Sequence, residues 1–186
     1  VVTTLVPAVT PMEAEIPKAK PPVQEVQPPE EKLTPPRPAP GEWPRLTLDQ
    51  AVVTYTEKAC TILFDFGLFS SRTELAPGAL QILEKIAAQL RPYMTGFNLV
   101  IEGHTDAMPM TSDANLDNYA LGMARANTIM KVLETSGQLP AQAMLVTSAG
   151  ETDPPYPNDT DIDRRKNRTV VLKLIPAKKT ASTPAP

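Results

Sequence analysis

Arg125 stands four residues after Leu121 and four before Ile129, so a guanidinium occupies a stripe whose other members are apolar and spaced as one face of a helix. A charge on such a stripe has to be paired, because an isolated buried charge is far too costly. The nearest partner by topology is Asp106, at the end of an alternating apolar pattern that leads toward this helix. Asn118, seven residues before Arg125, falls about two turns back on the same face. The three polar groups are expected to converge at one mouth of the fold. Two chemistries fit them. One is a structural salt bridge from Asp106 to Arg125 that fixes strand to helix. The other is a receptor for a zwitterion, in which a guanidinium fork takes a carboxylate and a carboxylate takes an ammonium, each through charge-assisted hydrogen bonds.

Catalytic readings find less support in the residues. His104 precedes Asp106, yet no nucleophile motif and no second histidine accompany it, so it reads as a hydrogen-bonded strand-end residue. Glu102 and Asp106 could imitate a glycosidase carboxylate pair, which keeps a glycoside hydrolase as a formal rival. One cysteine and one histidine cannot furnish a structural zinc site or an internal disulfide, so no metal or cofactor is implied. Cys60, on an apolar strand face, reads as a small core residue. A net charge of -3 with interspersed signs gives no general attraction to nucleic acid.

The elements that position these groups alternate between strand and helix. Cys60, Ile62, Phe64 and Phe66 alternate with Thr61 and Asp65, as in a strand, and Val52 to Tyr55 form a short partner before it. Ala76-Pro77-Gly78 opens a helix with Leu80, Leu83, Ile86 or Ala87, and Leu90 on one face, closed by Pro92. Phe97, Leu99 and Ile101 mark a second strand. A second helix is predicted from about Asn115 to Ser136, with Gly137 as its stop. A third strand covers Met144 to Ala149, a Pro- and Asp-rich loop Gly150 to Asp163, and a last strand Thr169 to Ile175. This β-α-β-α-β-β order, with right-handed crossovers, predicts an α/β fold of the two-layer α+β sandwich kind, a mixed sheet carrying two main helices on one face.

Three ordered blocks carry a resemblance: Ile101-Glu102-Gly103-His104-Thr105-Asp106, then Asn118-Tyr119-Ala120-Leu121-Gly122-Met123-Ala124-Arg125-Ala126, then Asn167-Arg168-Thr169-Val170. Together with Phe64-Asp65-Phe66, Glu74-Leu75 and Pro77, they resemble the OmpA-like peptidoglycan-binding domain family over residues 58 to 175. The resemblance implies a non-catalytic module in which Asp106 and Arg125 hold the diaminopimelate of the peptidoglycan stem. Asn118 and Leu121 would support that site and Arg168 would flank it. Phe66 and Gly67 would lie where a loop closes over the stem peptide. The chain departs from the family at Gly122, usually serine, and at Thr169, usually arginine. It also departs in longer loops at Gly67 to Arg72 and Ala107 to Asp117, the second closer to the flagellar stator branch.

Proline organises the rest, since 12 of the 22 fall before Arg45. Residues 1 to 44 read either as an extended linker, which at about 3.1 Å per residue would reach at most on the order of 130 Å, or as a merely disordered tail, residues 45 to 176 as the domain, and 177 to 186 as a frayed tail. No apolar run nears the length of roughly 20 residues that spans a bilayer. The chain begins at Val1 without a methionine or a signal-peptide pattern, so an upstream anchor, whether lipid or helix, stays open. The expected location is the periplasm of a Gram-negative-type bacterium. Expected partners are peptidoglycan, other envelope proteins of a membrane complex and, as an open alternative, a second copy in a homodimer. The runner-up role is a structural subunit of a flagellar stator-like or secretion machine.

Overall fold

The computed structural model describes residues 43–108 and 117–177. The expectations for linker residues 1–42, most of the Ala107 to Asp117 loop and tail residues 178–186 lie outside the described residues. Trp43 and Pro44, read as the end of the linker, belong with the domain. Pro44 is buried, and the Trp43 ring lies 5.4 Å from that of Phe97.

Seven strands and three α-helices are described. β1 (Ala51–Tyr55) and β2 (Cys60–Phe64) form an antiparallel hairpin, and β3 (Phe69–Ser71) with β4 (Glu74–Leu75) forms a small separate ribbon. α1 (Ala79–Leu90) leads to β5 (Phe97–His104), α2 (Asn118–Thr135) to β6 (Met144–Gly150), and α3 (Asp161–Asn167) to β7 (Val170–Pro176). The main sheet has the order β1-β2-β7-β5-β6, in which only β5 and β6 are parallel. This is the mixed sheet expected. β7 enters between β2 and β5, pairing antiparallel with both, so the last strand closes the sheet at its centre.

Strand periodicity decides the faces. Register aligns Ile62, Leu172, Ile101 and Val146, and alternate residues from the same strands meet α1 and α2 in one core. Burying such a set of aliphatic side chains supplies most of the drive to fold, at about 25 cal/mol per Å² of apolar surface. The other face carries the exposed Val52 and Leu145, with Lys173, Glu102 and His104 bonded in a row at its centre.

Several local expectations change. α1 starts after Gly78 rather than at Pro77, because Gly78 at φ 85° takes a left-handed turn immediately before the helix. Leu80 is consequently exposed, while Ala79 and Leu83 face the core. The segment Gly67 to Arg72 is no plain loop, since it contributes β3 of the ribbon. The Gly150 to Asp163 loop ends in α3, capped by Thr160 Oγ1 accepting from the Asp163 amide. Gly137 follows α2 for closeness to α1 rather than for a left-handed cap. A Cβ there would sit 2.6 Å from that of Ala87, and the positive φ falls on Gln138.

α2 lies against the sheet with backbone touching backbone. A Cβ on Gly103 of β5 would stand 1.8 Å from the Gly122 carbonyl oxygen, and one on Gly122 would stand 2.3 Å from Ser148 Oγ and 2.8 Å from the Gly103 oxygen. The serine usual at position 122 has no room here because Ser148 fills its space, donating to the Tyr119 carbonyl at 2.8 Å. Gly122→Ala should therefore lower stability by about 1–3 kcal/mol through overpacking. Gly103→Ala should cost more, since its obstruction is main chain. Urea unfolding of the two variants checks the order; a Gly103→Ala protein as stable as wild type would show that α2 is free to lift from the sheet.

Candidate functional site

β5 and β6 run parallel and end side by side, where the Thr105 amide donates to the Gly150 carbonyl at 2.8 Å. At this edge α2 crosses β5, held low by the Gly103–Gly122 approach, which brings its third turn over the strand end. Arg125 sits there, only 2% exposed. Its Nη1 donates to the His104 carbonyl at 2.9 Å, its Nε to the Arg72 carbonyl in the β3–β4 turn at 2.7 Å, and its guanidinium lies 5.2 Å from the centre of the Phe69 ring. A buried cation is thus satisfied by carbonyl dipoles and a ring face, and no described carboxylate is in ion-pair contact with it. Loss of water pulls its pKa down to about 10; the nearby charge of Asp106 acts the other way, and that of Arg168 adds to the lowering.

The expected Asp106 to Arg125 salt bridge is therefore replaced by a different pairing. Asp106 lies 3.6 Å from Nε of Arg168 and accepts a hydrogen bond from the Met108 amide at 3.3 Å. The reason is topological: Arg168 enters the edge from the start of β7, which lies beside β5. Arg125 is occupied by main-chain oxygens from two other segments. Asn118 also goes elsewhere, donating to Glu151 at 2.5 Å at the first turn of α2. Leu121, in the first turn and a half of α2, is buried.

Phe66, Gly67 and Arg168 do come together. They line a cleft of about 430 Å³ with Asp65, Phe69, Ser70, Ala76, Ile162, Arg165 and Lys166. Gly67 makes the closure between the first loop and α3 feasible, since a Cβ on it would meet the Arg165 carbonyl oxygen at 2.1 Å. The Phe69 amide fastens the same junction by donating to the Arg168 carbonyl at 3.1 Å. Asp106 and Arg125 are not in this lining; Phe69 and Arg168 stand between them and the cleft.

Some participants were not assigned roles from sequence. Asn167 is fully buried and organises the 150s loop, accepting from the Tyr156 amide at 3.0 Å and donating to the Tyr156 carbonyl at 2.8 Å and to Asn158 Oδ1 at 3.0 Å. Its place beside Arg168 in the last motif block was the available signal. Phe69, Arg165 and the two carbonyls on Arg125 carried none, because main-chain acceptors leave no trace in residue type. Thr105 Oγ1 and His104 Nδ1 are buried without a hydrogen-bond partner beside Asp106.

His104 is held as a structural residue, with Nε2 3.2 Å from Glu102 Oε1, an oxygen also bound by Lys173 at 2.6 Å. Burial lowers its pKa below the ordinary 6.5, against the opposing pull of Glu102.

Residues 68–168, more than half of the chain, match the OmpA family, and the chain belongs to that family. Motility protein B of Bacillus subtilis (strain 168) is 30% identical over 132 residues, which are 71% of this chain and 48% of that relative. Motility protein B of Helicobacter pylori is 33% identical over 90 residues, 48% of this chain and 35% of the relative. The chain spans about half the length, or less, of these relatives. Among solved structures, the periplasmic domain of Helicobacter pylori MotB shares the fold with a TM-score of 0.61 at 24% identity, covering 68% of this chain and 79% of that one. The cell wall anchor of the T6SS from Pseudomonas aeruginosa shares it with a TM-score of 0.56 at 20% identity, covering 69% and 89%.

The depressed His104 pKa has a signed consequence. The unfolded chain takes up the proton more readily than the native state, so this group's contribution is fully present above about pH 6.5 and declines as pH falls toward the native value. Between about pH 7.5 and 5.5 the wild type should lose melting temperature, and His104→Gln should lose less. Thermal scans of both at the two pH values test this; parallel losses would place the titration elsewhere.

Proposed function

We propose that the domain binds peptidoglycan without chemistry, taking the free end of diaminopimelate in the stem peptide at Arg125 and Asp106, and so anchors an envelope protein to the wall. The observation that carries this is the state of Arg125, a buried cation beside the strand end with no described carboxylate in contact. Its Nη2 makes no hydrogen bond to a described residue. A ligand carboxylate would supply the missing counter-charge, and Asp106, whose partner Arg168 is partly exposed, would take the ammonium. Lysine-containing stems lack that terminal carboxylate.

The motility protein relatives favour a more specific setting, in which this domain is the wall-binding part of a membrane motor complex in the periplasm. Among the described residues no helix is long and apolar enough to cross a membrane; in this setting the proline-rich residues 1–42 would serve as a tether. In the rival setting the domain serves assembly more than wall binding. Pull-down on purified sacculi separates the two, and soluble muropeptides released during the assay would reveal a hydrolase.

Arg125→Lys keeps the charge but gives up the planar fork, the Nε bond to Arg72 and the contact with Phe69. Stability should fall by about 1–3 kcal/mol. Affinity for diaminopimelate stems should fall about 10- to 150-fold, the equivalent of one charge-assisted contact. Asp106→Asn provides the control for folding. Its ion pair is partly exposed and worth at most about 1 kcal/mol, so it should fold almost normally yet bind poorly. Calorimetry with diaminopimelate and lysine stems on all three proteins decides the matter, and equal wild-type affinity for the two stems would sink the assignment.

A further inference from the structure

The cleft between the Phe66 loop and α3 has a chemistry of its own. Phe66, Phe69, Ala76 and Ile162 give it an apolar lining, and three cations, Arg165, Lys166 and Arg168, face one carboxylate, Asp65. These cations are unequally committed. Arg168 lies 3.6 Å from Asp106, and Lys166 is 4.0 Å from Asp163 and 4.9 Å from the centre of the Tyr156 ring. The Arg165 guanidinium makes no hydrogen bond or ion pair with a described residue. A cleft of about 430 Å³ with an apolar floor and a surplus of positive charge suits a short peptide segment bearing an anion.

Position narrows the occupant. Phe69 stacks under Arg125 and lines the cleft on its other side, and Arg168 pairs with Asp106 while lining the cleft. A peptide whose diaminoacid end lies at Arg125 and Asp106 would bring its adjoining residue toward the cleft, because Phe69 and Arg168 border both places. We propose that this cleft is a second anionic subsite, in which Arg165, assisted by Arg168, takes the free carboxylate of the acidic residue preceding diaminopimelate in the stem. The proposal rests on the stem-binding reading above and adds a residue of the ligand and a specificity determinant to it. It makes the domain a sensor of whether that carboxylate is free or amidated.

The test uses the full chain and two synthetic stem peptides that both contain diaminopimelate and differ only in whether the preceding carboxylate is free or amidated. Calorimetry should show the amidated peptide binding about tenfold more weakly, the loss of one charge-assisted contact. Arg165→Gln, an exposed substitution, should weaken the free-acid peptide by a similar factor and leave the amidated one unchanged. Equal binding of both peptides to wild type, with unchanged dependence on diaminopimelate against lysine, would overturn the subsite and leave the parent reading standing. Loss of the diaminopimelate dependence itself would overturn both.

Discussion

The burial of the Arg125 guanidinium is the constraint around which the functional edge of this domain is arranged. A side chain 2% exposed cannot keep its water, and desolvation of an unpaired cation is costlier than any packing gain it could bring. The fold meets that cost with acceptors from two separated pieces of chain, since Arg125 belongs to α2, His104 to the end of β5 and Arg72 to the β3–β4 turn. The arginine thereby ties the small ribbon to the sheet. Other ties of the ribbon are its own short pairing, the backbone bonds from Phe69 to Arg168 and from Ala76 to Leu68, and the burial of Leu68 and Phe69 in the core.

That arrangement needs α2 to lie unusually low. The approach of Gly103 and Gly122 removes a layer of side chains between helix and strand, and the guanidinium can then reach the His104 carbonyl rather than stop above it. Gly150 repeats the device at the neighbouring strand end, at φ 57° and with its Cβ direction closed by the backbone of Tyr119 at 3.0 Å. Glycine at these positions is therefore a geometric requirement of the site, one that acts through distance and not through chemistry. Ser148 complements it, filling from the sheet the space that a side chain on the helix would have needed.

The main elements were legible in the sequence because each has a long periodic signal: alternation in β2 and β5, and a repeat of three and four in α1 and α2. The order of elements along the chain and a mixed sheet were legible too, but the place of β7 between β2 and β5 was not. Short elements were not legible. β4 has two residues, and α3 has seven, mostly charged, too few for any periodicity to stand above loop composition. In the site, the anomaly of a charge on the apolar stripe correctly singled out Arg125 as needing partners. The partners themselves were misassigned, since pairing by residue type favours a carboxylate, whereas the main chain offers acceptors at every residue. Asp106 went to Arg168 because β7 inserts beside β5, a consequence of strand order that two separate motif blocks do not reveal.

The division of labour among the cations follows from this geometry. A lysine at 125 could satisfy one carbonyl and carry charge, but its three donors radiate from a single atom, whereas a guanidinium has five in a plane. Two of those five hold the fold together from Nε and Nη1, and the far nitrogen makes no hydrogen bond to a described residue. Structural anchoring and ligand capture can therefore coexist in one side chain without competing for the same hydrogens. In the proposed reading the deepest arginine would do both, while Arg168 is shared with Asp106 and the Arg165 guanidinium makes no hydrogen bond or ion pair with a described residue. Commitment to the fold falls from Arg125, with two main-chain acceptors, through Arg168, paired with Asp106, to Arg165 in the cleft. Under the proposed reading, a ligand with two anionic groups on adjoining residues would suit such a series, its first charge supplying the counter-ion that no described carboxylate provides and its second meeting a cation whose desolvation costs little.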